Sequence, residues 1–127
     1  MKLVIGGYGQ GKLQYVLRKY QLEENTVWDG VLPEEKEIQT KGVVVNHFHQ
    51  WVRQSLLQGK SPEDMARAFV ERHGDCIIIC DEIGNGIVPV EAFEREYRER
   101  TGRILIQLAK KAEEVERVIC GIGQKIK

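Results

Sequence analysis

The sequence predicts an α/β domain with a mostly parallel sheet of about five strands. Three observations carry that expectation. Candidate strands and helices alternate along the chain, the strands are continuous apolar runs, and a glycine-rich loop joins the first run to the first helical pattern. Continuous runs suit strands buried on both faces, which requires helices above and below the sheet. At 127 residues the chain is expected to be a single domain spanning 1–127.

The elements follow in order. Residues 2–5 form a short apolar run, and Leu13, Val16, Leu17 and Tyr20 then recur at helical spacing, so 11–20 reads as an amphipathic helix. Residues 26–28 suit a brief strand, and Pro33 with the acidic stretch 34–37 suits a surface loop. The β-branched run 43–45 reads as a buried strand, followed by a helix over about 48–58 closed by Gly59. Ser61-Pro62-Glu63-Asp64 opens the next helix, with serine as N-cap, proline at the first helical position and acids in the first turn; Gly74 ends it. Residues 76–80 form an apolar strand ending in Asp81-Glu82, before a loop containing Gly84, Gly86 and Pro89. A helical pattern covers about 90–114, with Gly102 marking either a break or a close packing contact. Residues 115–120 read as a last strand, and 121–123 as a turn into a basic tail.

Composition narrows the function. Nineteen basic residues balance nineteen acidic ones, so no basic excess draws in nucleic acid or an anionic membrane. No run approaches the roughly 18 consecutive apolar residues of a membrane span, and the N-terminus lacks a signal-peptide layout. Cys76, Cys80 and Cys120 lie in apolar runs, which suits buried thiols in a reducing cytoplasm. Any phosphate-binding site must therefore be built locally.

The stretch from Gly6 to Lys12 supplies one. It fits the first seven positions of the P-loop pattern G-x-x-x-x-G-K-[ST]. Glycines let backbone N–H groups wrap a phosphate, the following helix adds its positive end, and the lysine ammonium reaches the terminal phosphates. The last position departs: Leu13 has no oxygen for Mg²⁺ where the pattern has Ser or Thr.

The run ending in Asp81-Glu82 resembles a Walker-B strand end, and Glu82 is the expected site carboxylate ahead of Asp81. Asn46, His47 and His49 follow another strand; with no third ligand type nearby, the two imidazoles read as surface or pocket-lining groups rather than a metal site. His73, at a helix C-terminus, suits the dipole and reads as structural. Arg103 taken alone reads as a solvated helix residue.

Three separated motifs then carry a resemblance. They are the segment 81–89 (DEIGNGIVP), Gly102-Arg103, and the closing segment 120–127 (CGIGQKIK), and the glycine-rich loop at the N-terminus agrees with them. Together they resemble the bifunctional adenosylcobinamide kinase / adenosylcobinamide-phosphate guanylyltransferase family of cobalamin biosynthesis. The resemblance implies a RecA-like P-loop domain that assembles as a trimer. It implies two activities: phosphorylation of a corrinoid, the cobinamide side-chain hydroxyl, with ATP or GTP, and guanylylation through a covalent histidine. Gly6, Gly7, Gly9, Gln10, Gly11, Lys12 and Leu13 would form the nucleotide-binding loop. Lys12, Glu82 and Arg103 would be the catalytic residues, with Glu82 also the carboxylate for a metal.

The departures set further expectations. Asn46 stands where the family has an acid, Leu13 replaces the loop serine, and Leu105 and Ile106 replace Asn and Gln after Gly102-Arg103. Mg²⁺ binding is therefore expected to be weakened. The family segment bearing the guanylylated histidine has no counterpart, since residues 29–42 contain no histidine. Guanylyltransfer is expected to be lost, and the alternative to a kinase is a nucleotide-binding or assembly protein without catalysis.

Overall fold

The computed structural model describes residues 1–39, 42–84 and 90–127. The chain order is β1 (Lys2–Gly6), α1 (Lys12–Lys19), β2 (Val27–Asp29), β3 (Val44–Asn46), α2 (Phe48–Leu57), α3 (Pro62–Arg72), β4 (Ile77–Asp81), α4 (Ala92–Lys111), β5 (Glu114–Ile119) and β6 (Ile122–Lys125). One sheet runs β2-β3-β4-β1-β5-β6. Its first five strands are mutually parallel, and β6 returns antiparallel to β5. This is the three-layer, RecA-like P-loop architecture, with the loop-bearing strand near the middle of the sheet.

Strand alternation builds the layers, because successive side chains leave opposite faces of the sheet. Val4, Val44, Ile77, Ile79 and Val118 pack with Val16 of α1 on one face. Leu3, Val45, Ile78 and Cys80 pack on the other, against Phe48 and Val52 of α2, Phe69 of α3, and Ile104 and Leu108 of α4. All of these side chains are buried. Every central strand therefore needs apolar residues at consecutive positions, which is why they read as unbroken runs.

Several details differ from the sequence expectation. The closing segment is a sixth strand: Cys120 and Gly121, at φ 51° and 74°, make the two-residue hairpin turn that reverses the chain into β6. Cys120 is consequently exposed, while Cys76 and Cys80 are buried as expected. Helix α4 runs unbroken through Gly102, and a Cβ there would meet nothing within 4 Å, so this glycine marks neither a break nor a close contact. Residues Glu35–Glu37 form one 3₁₀ turn within the expected loop. Gly86 and Pro89 of the expected loop after β4 lie outside the described residues. Among the described residues, no helix is long and apolar enough to cross a membrane.

Candidate phosphate-binding site

Gly6 at the end of β1 lies opposite Asp81 at the end of β4. After β1 the chain enters α1 on one face of the sheet, and after β4 it enters α4 on the other. A crevice opens between two such diverging connections, at the carboxyl ends of the strands. It holds a pocket of about 270 Å³ lined by residues 8–14 of the loop and first helical turn, with Asn46, His47 and Asp81.

The loop is shaped for an anion. Gly11 precedes α1 at φ 83°, a left-handed conformation that side chains disfavour, and no side chain caps the helix start. The N–H groups of the first turn and the helix dipole therefore remain available to a ligand. Lys12 has a buried stem; its Nζ donates to the Gly7 carbonyl at 2.8 Å and sits 2.7 Å from Asp81 Oδ1. Gly9, Gln10, Gly11, Lys12 and Leu13 line the pocket, whereas Gly6 ends β1 and Gly7 supplies the carbonyl that holds the lysine.

The hairpin between β5 and β6 braces this loop from below. Gln10 Oε1 accepts the Cys120 N–H and the Gln10 carbonyl accepts the Gly121 N–H, both at 2.8 Å. Residues 121–123, expected as a turn into a tail, thus form part of the floor of the loop.

The two adjacent acids at the end of β4 have separate partners. Asp81 lines the pocket. Its backbone N–H donates to His49 Nδ1 at 3.2 Å, and its Oδ2 lies 3.5 Å from His49 Nε2. Because Nδ1 accepts, the proton of a neutral ring sits on Nε2, facing the carboxylate. Burial lowers the His49 pKa, against the opposing charge of Asp81, and favours that neutral form. The Tyr97 hydroxyl donates to the His49 carbonyl at 3.0 Å and steadies the start of α2. Glu82 instead accepts two bonds from Arg117 of β5, 2.7 Å from Nε and 3.0 Å from a terminal nitrogen. One step along an extended chain reverses the side-chain direction, so only one of two neighbouring acids can face Lys12. The carboxylate at the loop is Asp81 rather than the expected Glu82, which faces Arg117.

At the ends of β2 and β3, His47 Nδ1 meets Asp29 Oδ1 at 2.5 Å, and Asn46 Nδ2 donates to the same oxygen at 3.0 Å. Neither Asp29 nor this pairing was singled out from sequence; an acid at the carboxyl end of a short strand was the available signal. Among the described residues, no group of three or more His, Cys, Asp or Glu is placed to hold a metal ion.

Arg103 is not part of this pocket. It is exposed on α4, pairs with Glu99 one turn earlier, and lines a separate groove of about 260 Å³ between α3 and α4. Ile106 is also exposed. His73 ends α3, bonds Glu35 at 3.1 Å and packs on Phe69, in keeping with a structural role.

Comparison with known proteins agrees with this architecture. A family model described as "Cobinamide kinase / cobinamide phosphate guanyltransferase" matches residues 17–126. The bifunctional adenosylcobalamin biosynthesis protein CobU of Escherichia coli K12 is 45% identical over 80 residues, covering 61% of this chain and 44% of that one. The protein of the same name from Salmonella typhimurium LT2 is 43% identical over 51 residues, covering 40% of this chain and 28% of that one. These matches span less than half the length of either relative. The family match covers most of the sheet and all of α2, α3 and α4, and on it the chain belongs to the cobinamide kinase / cobinamide phosphate guanyltransferase family.

Proposed function

We propose that the protein binds ATP or GTP at the loop 6–13 and transfers the terminal phosphoryl group to a hydroxyl of cobinamide, as a kinase of cobalamin biosynthesis. One observation carries the reading: Lys12, in a loop of phosphate-binding pattern, meets Asp81 across the pocket at 2.7 Å. Family membership supports the acceptor class.

Each group then has a role. The loop N–H groups and the start of α1 hold the phosphates, and Lys12 exchanges Asp81 for the transferred phosphate and stabilises its charge. Asp81 is the carboxylate that fits Mg²⁺; Leu13 has no oxygen to add and Asn46 only a neutral amide. Such a site takes most of its ligands from phosphate and water, and when bound the ion would neutralise charge on the phosphate oxygens. Glu82, held by Arg117, supports the site by tying β4 to β5. The proposal assigns Arg103 no role at this pocket and takes guanylyltransfer as lost. The family resemblance adds a trimeric assembly, which sedimentation would check.

A thermal-shift panel of ATP and GTP with and without Mg²⁺, followed by transfer of terminal-phosphate label to cobinamide, tests the reading. Nucleotide at about 100 times its Kd should stabilise the fold by about 2.7 kcal/mol, and label should appear on the corrinoid. Absence of transfer overturns the proposal, and absence of the shift as well removes nucleotide binding with it. Leu13 favours one second reading, a nucleotide-binding protein without catalysis, which predicts the shift but no transfer.

A further inference from the structure

We propose that His47, oriented by Asp29, is the base that takes the proton from the hydroxyl receiving the phosphoryl group. The inference rests on the kinase reading and deepens it. Transfer to an alcohol releases a proton, and a positioned acceptor must lie near the transferred phosphate. The titratable residues lining the loop pocket are Tyr8, Lys12, His47 and Asp81. Lys12 is a cation that passes from Asp81 to the phosphate, Asp81 once released faces His49 at 3.5 Å and is the carboxylate assigned to the metal, and Tyr8 is 88% exposed. Glu82 is bonded to Arg117. His47 is the remaining candidate.

Its geometry suits the task. A carboxylate can only accept, so the 2.5 Å contact to Asp29 fixes the proton of a neutral ring on Nδ1 and leaves the lone pair on Nε2. Asn46 Nδ2 donates to the same Asp29 oxygen at 3.0 Å and lies beside His47 Nδ1 at 3.3 Å, which keeps the carboxylate in place. The backbone adds a second constraint. His47 sits at φ 50° at the N-cap of α2, a left-handed conformation that costs a side-chain-bearing residue about 1 kcal/mol or more. The turn from β3 into α2 therefore fixes the ring at the pocket against its own backbone preference.

The step balances. The acceptor oxygen forms its bond to the terminal phosphorus as its proton passes to His47 Nε2. The bond from that phosphorus to the bridging oxygen breaks, and its electron pair leaves with the nucleoside diphosphate. Asp29 stabilises the imidazolium until it returns the proton to water.

The test uses wild type, His47→Gln, His47→Gly and Asp29→Asn, assayed for label transfer from ATP or GTP to cobinamide and for nucleotide-induced thermal shift. His47→Gln should lower kcat about 100-fold or more, with the nucleotide KM and thermal shift unchanged. His47→Gly suits the φ of 50°, so its fold should hold and added imidazole should restore turnover. Asp29→Asn, which acts through His47, should lower kcat about tenfold without changing KM. A His47→Gln enzyme with wild-type kcat, or a His47→Gly enzyme that imidazole does not rescue, overturns the inference while the kinase reading stands. A wild-type protein that binds nucleotide and transfers nothing overturns both.

Discussion

Lys12 Nζ and Asp81 Oδ1 form an ion pair 2.7 Å apart, with both side chains largely buried, at the mouth of the loop. The carboxylate occupies the lysine that a phosphate would need. The proposed nucleotide binding would thus be an exchange of anions at one ammonium, after which Asp81 would still face His49 at 3.5 Å.

Asp81→Asn should free Lys12 and remove a negative charge facing the phosphates. Metal-free nucleotide affinity should rise, by about tenfold if about 1.4 kcal/mol of competition is relieved, while the gain from Mg²⁺ shrinks. Lys12→Ala should abolish nucleotide binding and destabilise the fold by about 3 kcal/mol, because it strands a buried carboxylate. Titration calorimetry and urea unfolding check the two effects separately.

Much of this was legible in the sequence. The loop pattern, the apolar runs of β1, β3 and β4, and the start of α3 at Pro62 are local signals, although Ser61 at the N-cap makes no side-chain cap bond. The choice between Asp81 and Glu82 was not, because it depends on which acid faces Lys12 and which faces Arg117 on a strand 35 residues further on. The sixth strand was missed because Ile122–Lys125 has no buried side chain; its place comes from pairing with β5. Arg103 stood out only through its neighbour Gly102, and the fold leaves it on an outward surface.

Glu116 gives the fold a sensitivity to acid. Burial acts to raise its carboxyl pKa, but bonds from Lys19, Tyr15 and Tyr20 outweigh burial and hold it below the ordinary value. A depressed folded pKa contributes stability that is present above the unfolded value, about 4.3, and is lost as pH falls through the folded one. Urea midpoints should therefore drop below about pH 4.3. Glu116→Gln should lower stability at neutral pH and flatten that acid limb.

Gly123→Ala should be costly. A Cβ at this position would lie 2.1 Å from the Tyr15 hydroxyl and 2.2 Å from its ring carbon, so the Tyr15 side chain must leave its bond to Glu116 or β6 must shift. Overpacking of this kind costs about 1–3 kcal/mol, visible as a lowered melting temperature. Because Tyr15 bonds Glu116, the variant should also weaken the acid dependence described above.

Thiol labelling should separate the cysteines. Burial pushes the Cys76 and Cys80 thiols up to about 12, whereas Cys120 is exposed on the hairpin turn. At pH 8 a disulfide reagent should modify one thiol rapidly in the native protein and all three after denaturation. Rapid native labelling of more than one would contradict the burial of β4.

The contact between Gln10 and the turn at Cys120 and Gly121 also fixes an order in time. A ribosome delivers residue 10 early and residue 121 some hundred residues later. Throughout that interval the nascent loop has its glycines and its lysine but not the floor against which it is set. The proposed nucleotide capture would therefore wait on the closing of the last hairpin, and its onset would report that closure.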